Sequence, residues 1–117
     1  MSDRTIGILG LGIFGSSVLT ALAKQDMNII AIDDHAEHIN QFEPVLARGV
    51  VGDITDEELL RTAGIDTCDT VVVATGENLE SSVLAVMHCK SLGVPRVIVK
   101  VKSQTAKKVL EKIGADS

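Results

Sequence analysis

The sequence predicts a doubly wound α/β domain, a parallel sheet with helices on both faces. Five short apolar runs alternate with segments of helical periodicity. The first run passes directly into Gly10-Leu11-Gly12-Ile13-Phe14-Gly15, and the second ends in an aspartate, Asp33, about 20 residues further on. Alternation of this kind builds parallel strands joined by right-handed helical crossovers. The runs Val71–Ala74 and Val97–Val99 are continuously apolar and mostly β-branched, as strands covered on both faces are. The fold class is therefore α/β and Rossmann-like.

Met1–Arg4 is expected to be a short disordered lead, and Thr5–Leu9 the first strand. Ser16–Lys24 continues the glycine loop as a helix, with Val18, Leu19, Leu22 and Ala23 at helical spacing. Asn28–Asp33 is the second strand. Asp34-His35-Ala36-Glu37 has capping-box spacing, which predicts Asp34 as the cap of a helix that carries Ile39 and Phe42 and stops near Pro44. Gly49–Gly52 is a short third strand leading into Asp53. Thr55-Asp56-Glu57-Glu58 repeats the cap pattern and opens a helix through Leu59, Leu60 and Ala63, closed by Gly64. Thr70–Thr75 is the fourth, central strand. Asn78 can cap a long helix through Val83, Leu84, Val86 and Met87, which Gly93 and Pro95 end. Arg96–Val101 is the fifth strand, and Ser103–Ile113 the last helix, with Gly114 at its end.

A chain of 117 residues fits one domain, residues 1–117, with a useful core. It has no Trp or Tyr, and its only Phe residues are Phe14 and Phe42. A net charge of −5 argues against nonspecific attraction to nucleic acid. The charge is uneven: residues 1–95 hold 14 acids and 5 bases, residues 96–117 hold 2 acids and 6 bases. The basic end is read as a solvated helix face, with a partner surface as the other possibility. Cys68 and Cys89 lack C-x-x-C spacing and read as small packing groups in a reducing cytoplasm, a redox switch being the alternative. Nothing approaches an uncharged membrane-spanning length, so a membrane role would run through a partner.

In an open α/β sheet, ligands bind beyond the carboxyl ends of the strands. Gly10 allows the tight strand-to-helix turn, Gly12 lets bare backbone approach a diphosphate, and Gly15 lets the helix pack closely on the strand. Phosphate oxygens would then lie on the first free N–H groups of the helix, at its positive end. Asp33 would accept both ribose hydroxyls and repel a 2′-phosphate, favouring NAD or adenine nucleotides over NADP. Asp53 would reach an adenine amino group or serve as a turn former, and Gly76 would clear space for ribose or base or serve as a turn glycine. Lys100 would meet a phosphate or snorkel from a strand end. His35, His38 and His88 have no evident orienting partner outside their own helices, and neither a nucleophile pattern nor metal-ligand spacing stands out. The residues describe a binding site without a reaction.

The Gly10–Gly15 loop, Ala31-Ile32-Asp33, Gly52-Asp53-Ile54-Thr55, Ala74-Thr75-Gly76-Glu77-Asn78 and the tail Val109–Asp116 together resemble the RCK (KTN, TrkA-N) domain. The likeness is greatest to KtrA-like regulatory subunits of Ktr and Trk potassium-uptake systems. The resemblance covers essentially the whole chain and implies a non-enzymatic nucleotide-sensing domain binding NAD(H) or ADP/ATP. It implies a cytoplasmic homodimer, assembled in the full-length protein as an octameric ring that gates a membrane potassium pore. It also implies that Gly10, Gly12 and Gly15, with Ile13 and Phe14 in the same loop, hold the phosphates, and that Asp33 and Asp34 lie at the ribose. Asp53 and Ile54 would lie near adenine, Thr75, Gly76, Glu77 and Asn78 along the nucleotide, and Lys100 at the terminal phosphate. Position 13 is often Arg in the family; Ile13 removes a charge that would grip a γ-phosphate, which shifts the expectation toward NAD(H) or ADP/AMP. The family continues into a C-terminal RCK domain absent here, so a piece of a longer subunit is expected. The alternative is the NAD-binding half of an NAD-dependent oxidoreductase.

Overall fold

The computed structural model describes residues 4–75 and 78–116. Among the described residues, strands and α-helices alternate: β1 (Thr5–Leu9), α1 (Ile13–Leu22), β2 (Asn28–Asp33), α2 (Ala36–Phe42), β3 (Arg48–Val51), α3 (Glu57–Ala63), β4 (Thr70–Val73), α4 (Leu79–Ser91), β5 (Arg96–Val99) and α5 (Gln104–Lys112), with short 3-10 turns at Glu43–Val45 and Ile65–Thr67. The strands are all parallel, in the order β3-β2-β1-β4-β5. The chain thus winds outward from β1 through β2 to β3, then crosses back to start again at β4. The crevice between the carboxyl ends of β1 and β4 is the topological switch point.

Because strand side chains alternate, the two faces of the sheet bury two separate cores. Ile8, Ile29 and Ala31 point to one face and pack with Leu19 of α1 and Ile39 of α2. Leu9, Ile30, Ile32, Val71, Val73 and Val97 point to the other and pack with Leu60 of α3, Val86 and Cys89 of α4, and Leu110 of α5. The same alternation puts Asp33 on the α1/α2 face, two residues beyond Ala31. Its position in the cleft follows from that parity.

The edges and ends differ from the expected ones for local reasons. α1 begins at Ile13 and ends at Leu22, so the glycine loop itself supplies the first turn. β4 and β5 end at Val73 and Val99; the Ala74 N–H still donates to Leu9 O and the Lys100 N–H to Val73 O, after which pairing stops. β3 runs from Arg48 to Val51 and is largely exposed at the sheet edge. The opposite edge is covered, since Val97 exchanges hydrogen bonds with the Asp116 backbone and carboxylate, both at 2.7 Å. α5 buries Leu110 and exposes Lys107, Lys108 and Lys112.

Two helix caps sit one residue later than their spacing suggests. α2 is capped at His35, not Asp34, without a side-chain cap bond. Asp33 already accepts the His35 N–H at 2.7 Å, an Asx turn that consumes the step Asp34 would have needed. Likewise Thr55 donates its N–H and hydroxyl to Asp53, and Asp56 caps α3 by accepting from the Glu58 and Leu59 amides. Asn78 caps α4 as expected, accepting from Ser81 N–H at 3.2 Å. Cys68 and Cys89 are buried free thiols, and burial pushes both up to about 12. No helix among the described residues is long and apolar enough to cross a membrane.

Candidate functional site

A cleft of about 310 Å³ opens at the switch point, within the usual range for small-ligand sites. Its floor is the strand-to-helix turn. Gly10 has φ +101°, and a Cβ there would press on the Ala74 carbonyl of the neighbouring strand end. Gly15 packs beneath the turn, where a Cβ would overlap the Gly10 carbonyl oxygen outright. Gly12 faces open space, with nothing within 4 Å of a Cβ built on it. It is also the N-cap of α1, with no side-chain acceptor on the first amides of the helix. The turn therefore presents uncapped N–H groups at the positive end of a ten-residue helix.

Asp33 forms the adjoining wall. It is 6% exposed, and both its oxygens are engaged. Oδ2 accepts the Leu11 N–H at 2.6 Å, tying the end of β2 to the glycine loop. Oδ1 accepts the His35 N–H at 2.7 Å and lies 3.2 Å from His35 Nδ1 and 3.0 Å from His38 Nδ1. Burial pushes the carboxyl up, but the Leu11 and His35 amides and the His38 ring more than offset it and hold it below the usual carboxylate value. His35 is raised, chiefly by its bond to Asp33 and by the nearby Asp34 charge. Asp34 itself reaches His35 Nδ1 at 2.7 Å.

The third wall is the loop after β3. Asp53 lines the cleft and is also a turn former: Oδ1 accepts both the Thr55 hydroxyl and amide, which lowers its pKa. Ile54 is buried beside it, and Thr75 closes the far side, hydroxyl to hydroxyl with Ser82 at 2.6 Å.

Of the residues singled out from the sequence, Gly10, Gly12, Asp33, Asp34, Asp53, Ile54 and Thr75 share this cleft. Ile13, 92% exposed, and Phe14 do not line it, Gly15 lies beneath it, and Asn78 is occupied as a cap. Lys100 Nζ sits 5.2 Å from the Phe14 ring centroid, outside the lining. Gly76 and Glu77 lie outside the described residues.

His35, His38 and Ser81 line the cleft without having been singled out. The two histidines have an orienting partner outside α2 after all, the Asp33 carboxylate at the end of β2. His88 is likewise tied beyond its own helix, Nε2 to Thr55 O at 2.9 Å and Nδ1 to Glu57 at 3.5 Å. The Asp-x-His-x-x-His spacing after an apolar strand was the available signal for the first pair. Asp33, His35 and His38 also form a group with ligand-type atoms within 4.8 Å of one another, contrary to the expectation that no metal-ligand arrangement is present.

The TrkA-N domain family model matches residues 6–117. Among curated proteins, the chain is 37% identical over 113 residues to Ktr system potassium uptake protein C of Bacillus subtilis, covering 97% of this chain and 51% of that protein. It is 33% identical over 116 residues to Ktr system potassium uptake protein A of the same organism, covering 99% and 52%. The chain thus spans about half the length of the curated relatives it matches. Among solved structures, the GsuK channel bound to NAD superposes with a TM-score of 0.79 at 17% identity, over 97% of this chain and 21% of that one. GsuK bound to ADP superposes with a TM-score of 0.80 at 17% identity, over 100% and 32%. At that identity the likeness is one of fold. A parallel five-stranded sheet, a glycine turn at its switch point and a family match running from the first strand to the last residue have one common reading: this chain belongs to the TrkA-N domain family.

Proposed function

We propose that the chain is the nucleotide-sensing part of a regulatory subunit of a Ktr/Trk-type potassium-uptake system, acting without catalysis of its own. It would bind NAD(H) or an adenine nucleotide in the cleft and transmit occupancy through a homodimer or ring to a membrane potassium pore. One observation carries the nucleotide reading: the uncapped amides of α1 at Gly12 face the same cleft as Asp33. A phosphate on those amides and a ribose at Asp33 would thus lie side by side, since Asp33 is bonded to Leu11 of the same loop. The GsuK structures with NAD and with ADP support the choice of ligand class, and the names of the Ktr relatives support the potassium system.

The geometry adds detail to how a ribose would enter. A carboxylate has about four acceptor sites, and the contacts of Asp33 number four: two amides and two imidazoles. The amide bonds are built into the backbone. Three of these contacts are on Oδ1 and one is on Oδ2, so a ribose hydroxyl at Oδ1 would displace the His35 and His38 rings, whereas one at Oδ2 would find an acceptor position beside the Leu11 N–H. No lysine or arginine is among the described residues lining the cleft, so the diphosphate would rest on backbone N–H groups. That favours NAD(H), ADP or AMP over a ligand needing a γ-phosphate clamp.

Calorimetric titration of NADH, ADP, AMP and ATP against the purified chain tests this reading. The expected result is saturable binding of one of them at one site, with at least tenfold weaker binding by Gly12→Ala. Absence of binding by all four would sink it.

A further inference from the structure

Around the Asp33 carboxylate, the imidazoles of His35 and His38 are groups that nucleotide binding does not require. Asp33 ends the strand, His35 caps α2 and His38 follows one turn later, its N–H donating to His35 O at 3.1 Å. That spacing stacks the two rings on one side of the helix start, with centroids 4.9 Å apart. Both Nδ1 atoms converge on a single oxygen, Asp33 Oδ1, at 3.2 and 3.0 Å. Asp34 adds a second carboxylate 2.7 Å from His35 Nδ1. We propose that Asp33, His35 and His38, with Asp34 at their side, form a binding site for a divalent transition-metal ion of the zinc, cobalt or nickel class.

The distances suit such an ion. Zinc bonds of about 2.0–2.1 Å in a tetrahedron hold neighbouring ligand atoms roughly 3.3 Å apart. The Oδ1–Nδ1 separations lie within a few tenths of an ångström of that, and all three ligand atoms already fall within 4.8 Å of one another. Small rotations of the two rings would centre the ion.

The donor set selects the metal. Two imidazoles and a carboxylate suit zinc, cobalt, nickel or copper, whereas magnesium and calcium prefer oxygen alone. The support around the set is also in place. The Leu11 N–H holds Asp33 Oδ2 at 2.6 Å and so fixes the carboxylate plane with Oδ1 toward the rings. In neutral imidazole the single proton moves to Nε2, freeing each Nδ1 lone pair for the ion.

Charge and access agree with this. The described cleft lining carries three aspartates and no basic side chain except these histidines. The side chains of His35 and Asp34 are 57% and 74% exposed, which leaves an entry path from solvent, while that of Asp33 is 7% exposed and pre-positioned. The His35 amide and both Nδ1 atoms crowd one oxygen, Asp33 Oδ1, and a cation held by Oδ1 and the two ring nitrogens would relieve that crowding.

The test is titration of Co²⁺, then Zn²⁺, into the untagged, metal-stripped chain without nucleotide. The expected result is one equivalent of Co²⁺ per chain with a visible d–d absorption band, displaced by one equivalent of Zn²⁺ and unaffected by Mg²⁺. His35→Gln and His38→Gln each weaken the affinity at least tenfold, while far-ultraviolet circular dichroism without metal stays as in the wild type. Should a variant misfold, paramagnetic broadening in the wild type decides the matter, since amide resonances at the end of β2 and the start of α2 must broaden first. Any of four outcomes overturns the assignment: no saturable binding, undiminished binding in both variants, a thiolate charge-transfer band from Cys68 or Cys89, or broadening centred on His88. Because nucleotide is absent throughout, failure here leaves the nucleotide reading standing, and the reverse is equally true.

Discussion

Two glycines three residues apart are predicted to fail in opposite ways when changed to alanine. Gly15 lies inside α1, where alanine would ordinarily stabilise a helix by roughly 0.5–1 kcal/mol. Its Cβ, however, would overlap the Gly10 carbonyl oxygen and lie 2.9 Å from the Gly10 carbonyl carbon, against a carbon–carbon optimum of about 3.5–4.0 Å. The offending atoms are backbone in a tight turn that Gly10 already holds at φ +101°, so they cannot rotate aside. Overpacking of this kind costs about 1–3 kcal/mol and sometimes more. The backbone clash should reach the top of that range, and net of the helical gain the variant loses about 2 kcal/mol. At about 4–5 °C per kcal/mol for a domain of this size, its melting temperature falls by roughly 10 °C. Gly12 is the reverse case. Its φ of −71° suits any L residue and its Cβ would project into empty space, so Gly12→Ala should change stability by less than about 1 kcal/mol. The same methyl stands where a diphosphate would approach, so ligand affinity falls at least tenfold. Thermal unfolding by circular dichroism and calorimetric titration with ADP and NADH read both effects. A Gly15→Ala protein melting at or above the wild type, or a Gly12→Ala protein binding as well as it, would refute the reasoning.

The other predictions concern the supports of the site and the fold. Asp33→Asn leaves one oxygen for contacts now shared by two, so a buried donor at Leu11 or His35 goes unsatisfied; a loss of about 1–3 kcal/mol in urea unfolding is expected. Leu110→Ala removes the one buried anchor of α5, itself 1% exposed, and should cost about 2–5 kcal/mol by the same assay; a smaller loss would mean that α5 packs loosely. Cys68 and Cys89, with thiols raised to about 12 by burial, should resist thiol reagents at neutral pH until the chain unfolds, and rapid labelling of the native protein would revive the redox-switch reading. The Asp116 carboxyl is lowered by its bond from Val97 N–H, so its contribution to stability is present above its unfolded value of about 3.9 and lost as pH falls through the folded value. Wild type and Asp116→Asn should therefore differ most above about pH 5 and converge in acid, as melting curves across pH would show.

Much of the site follows from two one-dimensional rules. The glycine spacing specifies a turn that only Gly10 and Gly15 can make, and the parity of β2 sends Asp33 to the α1 face. Both are local enough to read in a linear string. The caps at His35 and Asp56 are not, because Asp33 and Asp53 each capture an amide two residues on and delay the helix by a step. A competition between neighbouring polar side chains for the same N–H leaves no periodic trace. The roles of His35 and His38 depend on the direction in which α2 leaves the strand. Lys100 shows the opposite failure: its place at a strand end was evident, but its side chain lies over Phe14 and not in the cleft.

Among the described strands, the two wings of the sheet, β1-β2-β3 and β4-β5, are joined along the β1–β4 ladder, and the cleft sits over the end of that seam. A molecule lodged there would act as a clasp across that seam, resisting any fluctuation that lets one wing peel from the other. Its presence should consequently slow hydrogen–deuterium exchange in β4, on the wing remote from Asp33, as well as in β2.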